Sequence, residues 1–165
     1  MHRDNEIDAI VRIDIKGGKL TYGQRIELGQ IHFNDKLTAS ERYIASMECL
    51  HPGWEHVFTP EWIAWYAEVI EGIEYWMRRE STMLNYTPSG DELAAGFGDL
   101  GKKLGPMMTV MTLAEKFSRD PDEILTWEYG KVFGLLYADL ENFKFQRRLR
   151  RIMENKERQR RISRK

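Results

Sequence analysis

A short charged corner within the stretch Leu113–Leu140 is the feature that most constrains the fold of this 165-residue chain. Asp120 can accept a hydrogen bond from the free backbone N–H groups of a new helix, and Pro121 suits the first helical position. Glu123 lies three residues after Asp120, which is the spacing of a capping box. The corner therefore predicts two helices joined by a tight turn, and capping accounts for its carboxylates.

Further helices are predicted wherever a capping residue or a proline precedes a stretch with helical periodicity. The predicted helices cover about residues 22–32, 42–50 and 59–80, and others begin near Ser89, at Pro106 and at about Trp127. For Leu20–Tyr22 a short strand is the alternative. The last helix is predicted to run into the C-terminal tail, with an interruption near Thr126 or Gly130 as the alternative.

The N-terminal stretch has the alternation of a half-buried strand. Apolar side chains occupy every second position at Ile7, Ala9, Val11, Ile13 and Ile15, before Gly17-Gly18 ends the pattern. We therefore predict a mainly α (α+β) fold. A compact helical domain with a small N-terminal β-strand or hairpin covers residues 1–142, and a long basic amphipathic helix covers residues 143–165.

The core is predicted to centre on the helix 59–80, because its apolar side chains share one face at 100° per residue. That face carries Trp62, Trp65, Tyr66, Val69, Ile70, Ile73, Trp76 and Met77. Methionine adapts to irregular cores and to partner grooves. For Met107, Met108 and Met111 the prediction is the core.

The net charge of −1 conceals a strong asymmetry. Residues 143–165 contain eleven Lys or Arg and two Glu, a net charge of +9, while the remainder carries −10 from 14 basic and 24 acidic residues. A basic tail of this kind is suited to nucleic acid, to an acidic surface, or to the acidic body of a neighbouring copy. The alternative is a solvated helix end without a partner.

The predicted last helix changes its apolar face along its length. The first face carries Val132, Phe133, Leu136, Tyr137, Leu140 and Phe143, and the second carries Phe145, Leu149, Ile152 and Met153. Basic amphipathic helices dock into grooves of other proteins or lie on anionic membranes. We therefore predict a partner-binding site formed by Phe145, Arg147, Arg148, Leu149, Arg150, Arg151, Ile152 and Met153. The alternative is that the second face packs back against Trp62–Met77.

Motifs for catalysis, metals and cofactors are weak in this sequence. Cys49, His51 and His56 form C-x-H-x4-H, which matches no common zinc spacing and lacks a fourth ligand. The glycines at 96, 98 and 101 have G-x-G-x-x-G spacing but no preceding strand. We expect no enzyme activity, no metal site and no cofactor.

Nucleic-acid binding is the second functional class that the charge pattern permits. A helix-turn-helix around the corner would place Asp122 and Glu123 at the helix end that faces phosphates and bases, which is repulsive. The basic tail could still bind phosphate without sequence preference. No stretch approaches the roughly 20 apolar residues of a membrane span, the first residues lack a secretory signal, and the single Cys49 fits a reducing cytoplasm.

Three stretches resemble phage and prophage tail assembly chaperones, which guard the tape-measure protein while a long tail is built. They are LAEKFSRDPDEILTWEYGKVFGLL at residues 113–136, TYGQRIELGQI at 21–31 and ECLHPG at 48–53. The resemblance implies a non-enzymatic factor of the host cytoplasm that binds the tape-measure protein, or another tail protein, and leaves the finished particle. Self-association is compatible with it. The alternatives are a nucleic-acid-binding accessory protein and a structural subunit of the particle.

Overall fold

The computed structural model describes residues 12–54 and 58–163. Eight helices lie in this part of the chain and no sheet does. Their bounds are α1 Tyr22–His32, α2 Ala39–Leu50, α3 Pro60–Met83, α4 Gly90–Ala94, α5 Phe97–Leu104, α6 Pro106–Phe117, α7 Pro121–Leu125 and α8 Tyr129–Ile162. The prediction of a mainly helical chain is confirmed.

Capping residues set the starts of most helices, as the sequence predicts. The side chains of Thr21, Thr38 and Ser89 each take part in a reciprocal capping box. Thr59 caps α3, with Pro60 in its first turn. Because these bonds satisfy N–H groups that the helix itself leaves free, a sequence of this kind specifies where each helix begins.

The corner before α7 forms with one difference from the prediction. Asp120 accepts a hydrogen bond from the backbone N–H of Asp122 at 2.8 Å, and Pro121 occupies the first turn. Glu123 does not complete a capping box; its carboxylate lies 3.4 Å from the guanidinium of Arg119 instead. The capping of α7 therefore rests on Asp120 alone, and Glu123 pairs with the residue that precedes the corner.

The small N-terminal β element is not present in the residues that the structure describes. Ile7, Ala9 and Val11 lie outside them, and residues 12–14 are irregular before a turn at 15–18. Ile15 is buried and Ile13 is half-buried against the core, so their alternation marks an extended, one-sided contact rather than a strand. The strand alternative for Leu20–Tyr22 reduces to one isolated antiparallel bridge between Thr21 and Glu128.

Residues next to this bridge cap the N-terminus of α8, although they are distant from it in the sequence. Glu128 offers no side-chain cap. The N–H groups of Tyr129 and Gly130 donate instead to the carbonyl oxygens of Leu20 and Gly18, at 2.8 and 3.0 Å. The first turn of α8 therefore depends on residues more than a hundred positions earlier. The helix continues through Gly130 without interruption, whereas the interruption near Thr126 is present, because α7 ends at Leu125 and α8 begins at Tyr129.

The core centres on α3, as predicted. Trp65, Val69, Ile73 and Trp76 are buried, and the indole N–H of Trp76 donates to the carbonyl oxygen of Ile15 at 2.6 Å. The Trp76 ring also packs edge-on against Tyr129 of α8, with centroids 4.9 Å apart. The prediction that the α6 methionines lie in the core is wrong for two of them. Met107 and Met111 are exposed, because Val110, Leu113 and Ala114 fill the buried face of α6.

We predict that Gly18→Ala lowers the free energy of unfolding by about 2–3 kcal/mol, measured by urea denaturation. Gly18 has φ +76°, and an added Cβ would lie 2.7 Å from the Cα of Gly130. Gly134→Ala is the matched control, because Gly134 lies within α8 with open space around it, and the change should stabilise by up to about 1 kcal/mol. Equal effects of the two variants would contradict a specific role for the Gly18–Gly130 contact.

Candidate protein-docking surfaces

The terminal segment of α8, residues 143–162, carries the predicted partner-binding residues. From residue 148 onward every described side chain is exposed. The four apolar side chains of the predicted site are Phe145, Leu149, Ile152 and Met153, exposed by 51, 40, 51 and 62%. The structure therefore contradicts the alternative in which these four side chains pack back against α3. Arg148, Arg150 and Arg151 share this exposed part of the helix.

Arg147 is the exception among the predicted site residues. It is half-buried, and its guanidinium lies 3.4 Å from the hydroxyl oxygen of Tyr86. The ring of Tyr86 packs edge-on against Phe143, with centroids 5.5 Å apart. Arg147 therefore belongs to the contact between α8 and the loop before α4, and the freely accessible site begins at Phe145 and Arg148.

Glu92 holds this contact together from the first turn of α4. The Tyr86 hydroxyl donates to the Glu92 carboxylate at 2.5 Å, and the backbone N–H of Ser89 donates to the same group at 2.6 Å. The hydrogen bond from Tyr86, together with those from Ser89, lowers the pKa of Glu92 to about 2. The same bond raises the pKa of Tyr86. At neutral pH the contact thus joins a carboxylate and a protonated phenol.

A second surface is the groove between α1, α3, α6 and α8, a cleft of about 580 Å³. Its base holds Arg25, which donates to both carboxylate oxygens of Glu80 at 2.9 and 2.7 Å, while Tyr129 donates to Glu80 as well. Burial raises the pKa of Tyr129, so the phenol stays protonated. Each of these groups already has a partner, so the base of the groove is a structural network rather than a set of catalytic groups.

The walls of this groove are apolar, and the sequence pattern does not predict them. They are formed mainly by Ile26, Phe33, Leu84, Pro106 and Leu136. Phe33 is exposed. Helical periodicity could not single it out, because it follows the last residue of α1 and belongs to no apolar stripe. An aromatic residue directly after the end of a predicted helix is the one sequence signal for this groove.

The metal and nucleotide motifs, which are weak in the sequence, gain no support from the described residues. His56 lies outside them, and residues 12–54 and 58–163 contain no group of three His, Cys, Asp or Glu side chains that could hold a metal ion. Burial is the main cause that raises the pKa of the Cys49 thiol, to about 12, so this thiol is a poor nucleophile at neutral pH. Gly96 follows α4 instead of a strand.

Comparison of the chain with models of protein families, with curated proteins and with solved structures gives no match. Across the described residues, none of the helices combines the length and the apolar character that crossing a membrane requires. The most distinctive feature of the described residues is the exposed terminal segment of α8.

We predict that the contact between Tyr86, Glu92 and Arg147 weakens as the pH falls from about 4.5 towards 2. Because the folded-state pKa of Glu92 is depressed, its contribution to stability is present above the ordinary pKa of a glutamate and is lost as pH falls through the lowered value. Carboxyl NMR titration should show the depressed pKa. In Tyr86→Phe the pKa of Glu92 should move towards 4.5. In the control Ser89→Ala the pKa should move less, because the hydrogen bond from Tyr86 remains. An ordinary Glu92 pKa in the unaltered chain would contradict the geometry.

Proposed function

We propose that this chain is a non-enzymatic chaperone of phage tail assembly, and that the terminal segment of α8 binds the tape-measure protein. The observation that carries the proposal is the exposed apolar stripe of Phe145, Leu149 and Ile152 on a helix that has left the body. Burial of each such side chain in a complex is worth roughly 1.5–3 kcal/mol. A monomer gains nothing from leaving them exposed, so a partner that covers the stripe explains it better than a solvated helix end.

The shape of the segment suits a long helical partner. It projects as a single helix, and its apolar stripe repeats at intervals of three and four residues, as in helices that dock into grooves. At 100° per residue, Arg148 and Arg150 leave the helix on opposite sides of Leu149. A bound helix would therefore meet an apolar centre with basic margins, which favours a partner with apolar and acidic positions in alternation along its length.

Nucleic-acid binding is the second candidate, and the eleven basic residues of 143–165 are the observation that favours it. Phosphate contacts and apolar docking differ in their dependence on salt. Affinity for nucleic acid falls steeply as salt rises, because bound counterions are released, whereas burial of apolar surface largely survives. A structural subunit, the third candidate, would remain in purified particles, and a chaperone would be absent from them.

We expect the full chain to bind the tape-measure protein encoded with it, in low and in high salt, and a chain that ends at Asn142 to lose binding. Leu149→Gln with Ile152→Gln removes two members of the apolar stripe and should weaken binding at least about tenfold. Arg151→Gln with Arg158→Gln is the matched control, because it changes two exposed residues on the opposite face of the same helix to the same amide. Its effect should be smaller and confined to low salt, as titration calorimetry can measure.

The opposite ranking of the two double variants, with binding lost in high salt, would contradict apolar docking and show that the basic side chains carry the contact. Circular dichroism provides the folding check. Both pairs lie in a part of α8 where every side chain is exposed, so the body should unfold at an unchanged temperature in each variant.

A further inference from the structure

A cleft on α2 has the chemistry to receive the terminal segment of another copy. It has a volume of about 470 Å³ and is lined by Glu41, Ile44, Ala45, Glu48, Gly53 and Trp54. Glu41, Ile44, Ala45 and Glu48 share one face of α2 at 100° per residue. The cleft is therefore an apolar centre with a carboxylate at each end, the two glutamates lying two helical turns apart.

Several carboxylates of the body are paired with a basic side chain. Glu68 pairs with Arg12, Glu71 with Lys16, and Asp139 with Lys116. Within residues 12–54 and 58–163, by contrast, neither Glu41 nor Glu48 forms an ion pair with a basic side chain.

Both carboxylates do accept local hydrogen bonds. The backbone N–H of Thr38 donates to Glu41, and that of Gly53 donates to Glu48. The bonds from Thr38 lower the pKa of Glu41, so this group stays ionised well below neutral pH. The α2 cleft thus keeps two ionised carboxylates with which no basic side chain in the described part of the chain pairs.

The terminal segment presents the complementary pattern. Leu149 lies between Arg148 and Arg150, which leave the helix on opposite sides. Glu48 lies seven positions after Glu41, which is about 10 Å along the axis of α2. This distance matches the reach of two long arginine side chains on either side of one apolar residue. Two terminal segments cannot pair with each other as readily, because each belongs to a tail of net charge +9.

We propose that the terminal segment of one copy lies across α2 of a second copy, with Leu149 over Ile44 and Ala45, and with Arg148 and Arg150 beside Glu41 and Glu48. The contact joins different surfaces of the two copies, so it is heterologous and links copies head to tail. It goes beyond chaperone activity, since it assigns an occupant to the terminal segment before any other partner is bound. A partner with higher affinity for that segment would dissociate the copies.

The test is sedimentation velocity of the purified full chain over a wide range of concentration, in low and high salt. We expect an average mass that rises with concentration in low salt and an association at least about tenfold weaker in high salt. Glu48→Arg should weaken association by a similar factor. Glu115→Arg is the matched control, because it makes the same change in charge at an exposed position on α6, and it should have little effect.

A mixing experiment tests the head-to-tail geometry. Arg148→Glu with Arg150→Glu alters only the terminal segment, and Glu48→Arg alters only the α2 cleft. Each variant alone should remain monomeric, whereas an equimolar mixture retains one intact contact and should form a 1:1 dimer that does not extend further. The tail variant changes only exposed residues, so misfolding of the body does not account for a loss of association.

A wild-type chain that stays monomeric in low salt would overturn the proposal, as would equal effects of Glu48→Arg and Glu115→Arg, or a mixture that fails to dimerise. Association that requires added nucleic acid, or that disappears after nuclease treatment, would overturn it as well. None of these results bears on binding of the tape-measure protein, which calorimetry measures separately on the same variants.

Discussion

The ion pair between Arg25 and Glu80 is the interaction on which the arrangement of the helices most depends. It joins α1 to α3, and the hydroxyl of Tyr129 donates to the same carboxylate from the first turn of α8. Arg25 is buried and Glu80 is half-buried, so removing one member leaves a partly desolvated charge without its partner, which costs up to about 3 kcal/mol. Each of the three partners therefore constrains the other two. Together with the backbone bonds from α8 to Gly18 and Leu20, this network fixes the direction in which α8 leaves the body.

Because its first turn is anchored in this way, α8 can continue as a helix whose C-terminal half is exposed. Val132 and Phe133 are buried beside the network, whereas every described side chain after Arg147 is exposed. An isolated helix of about 15 residues is marginal in water, because its nucleation is unfavourable. Here the nucleus is supplied by the buried half, so the exposed half only has to extend an existing helix. The core thereby holds the proposed docking surface in helical form, which would reduce the entropy cost of binding a partner.

The elements that the sequence predicts well are those whose causes are local. Thr38 and Ser89 cap their helices through residues three positions away, and the apolar face of α3 follows from helical periodicity alone. The cap of α8 could not be predicted in this way, because its partners are Gly18 and Leu20. The apolar stripe of Phe145, Leu149 and Ile152 could be predicted because its helix is continuous, and its role in docking stays a prediction. The α2 cleft could not be predicted, since its two carboxylates and its apolar floor, which includes Trp54, come together only in the folded chain.

The charge of the terminal segment decides between the ways in which its apolar stripe can be covered. An exposed stripe on a neutral helix would favour pairing of two identical tails. A net charge of +9 opposes that pairing and favours acidic acceptors, of which the α2 cleft is one. The apolar contacts then supply most of the affinity, while the charges select the partner and speed the encounter. In the proposed function, a stripe with basic margins would be available for exchange between acidic surfaces, which is the property that a transient assembly factor requires.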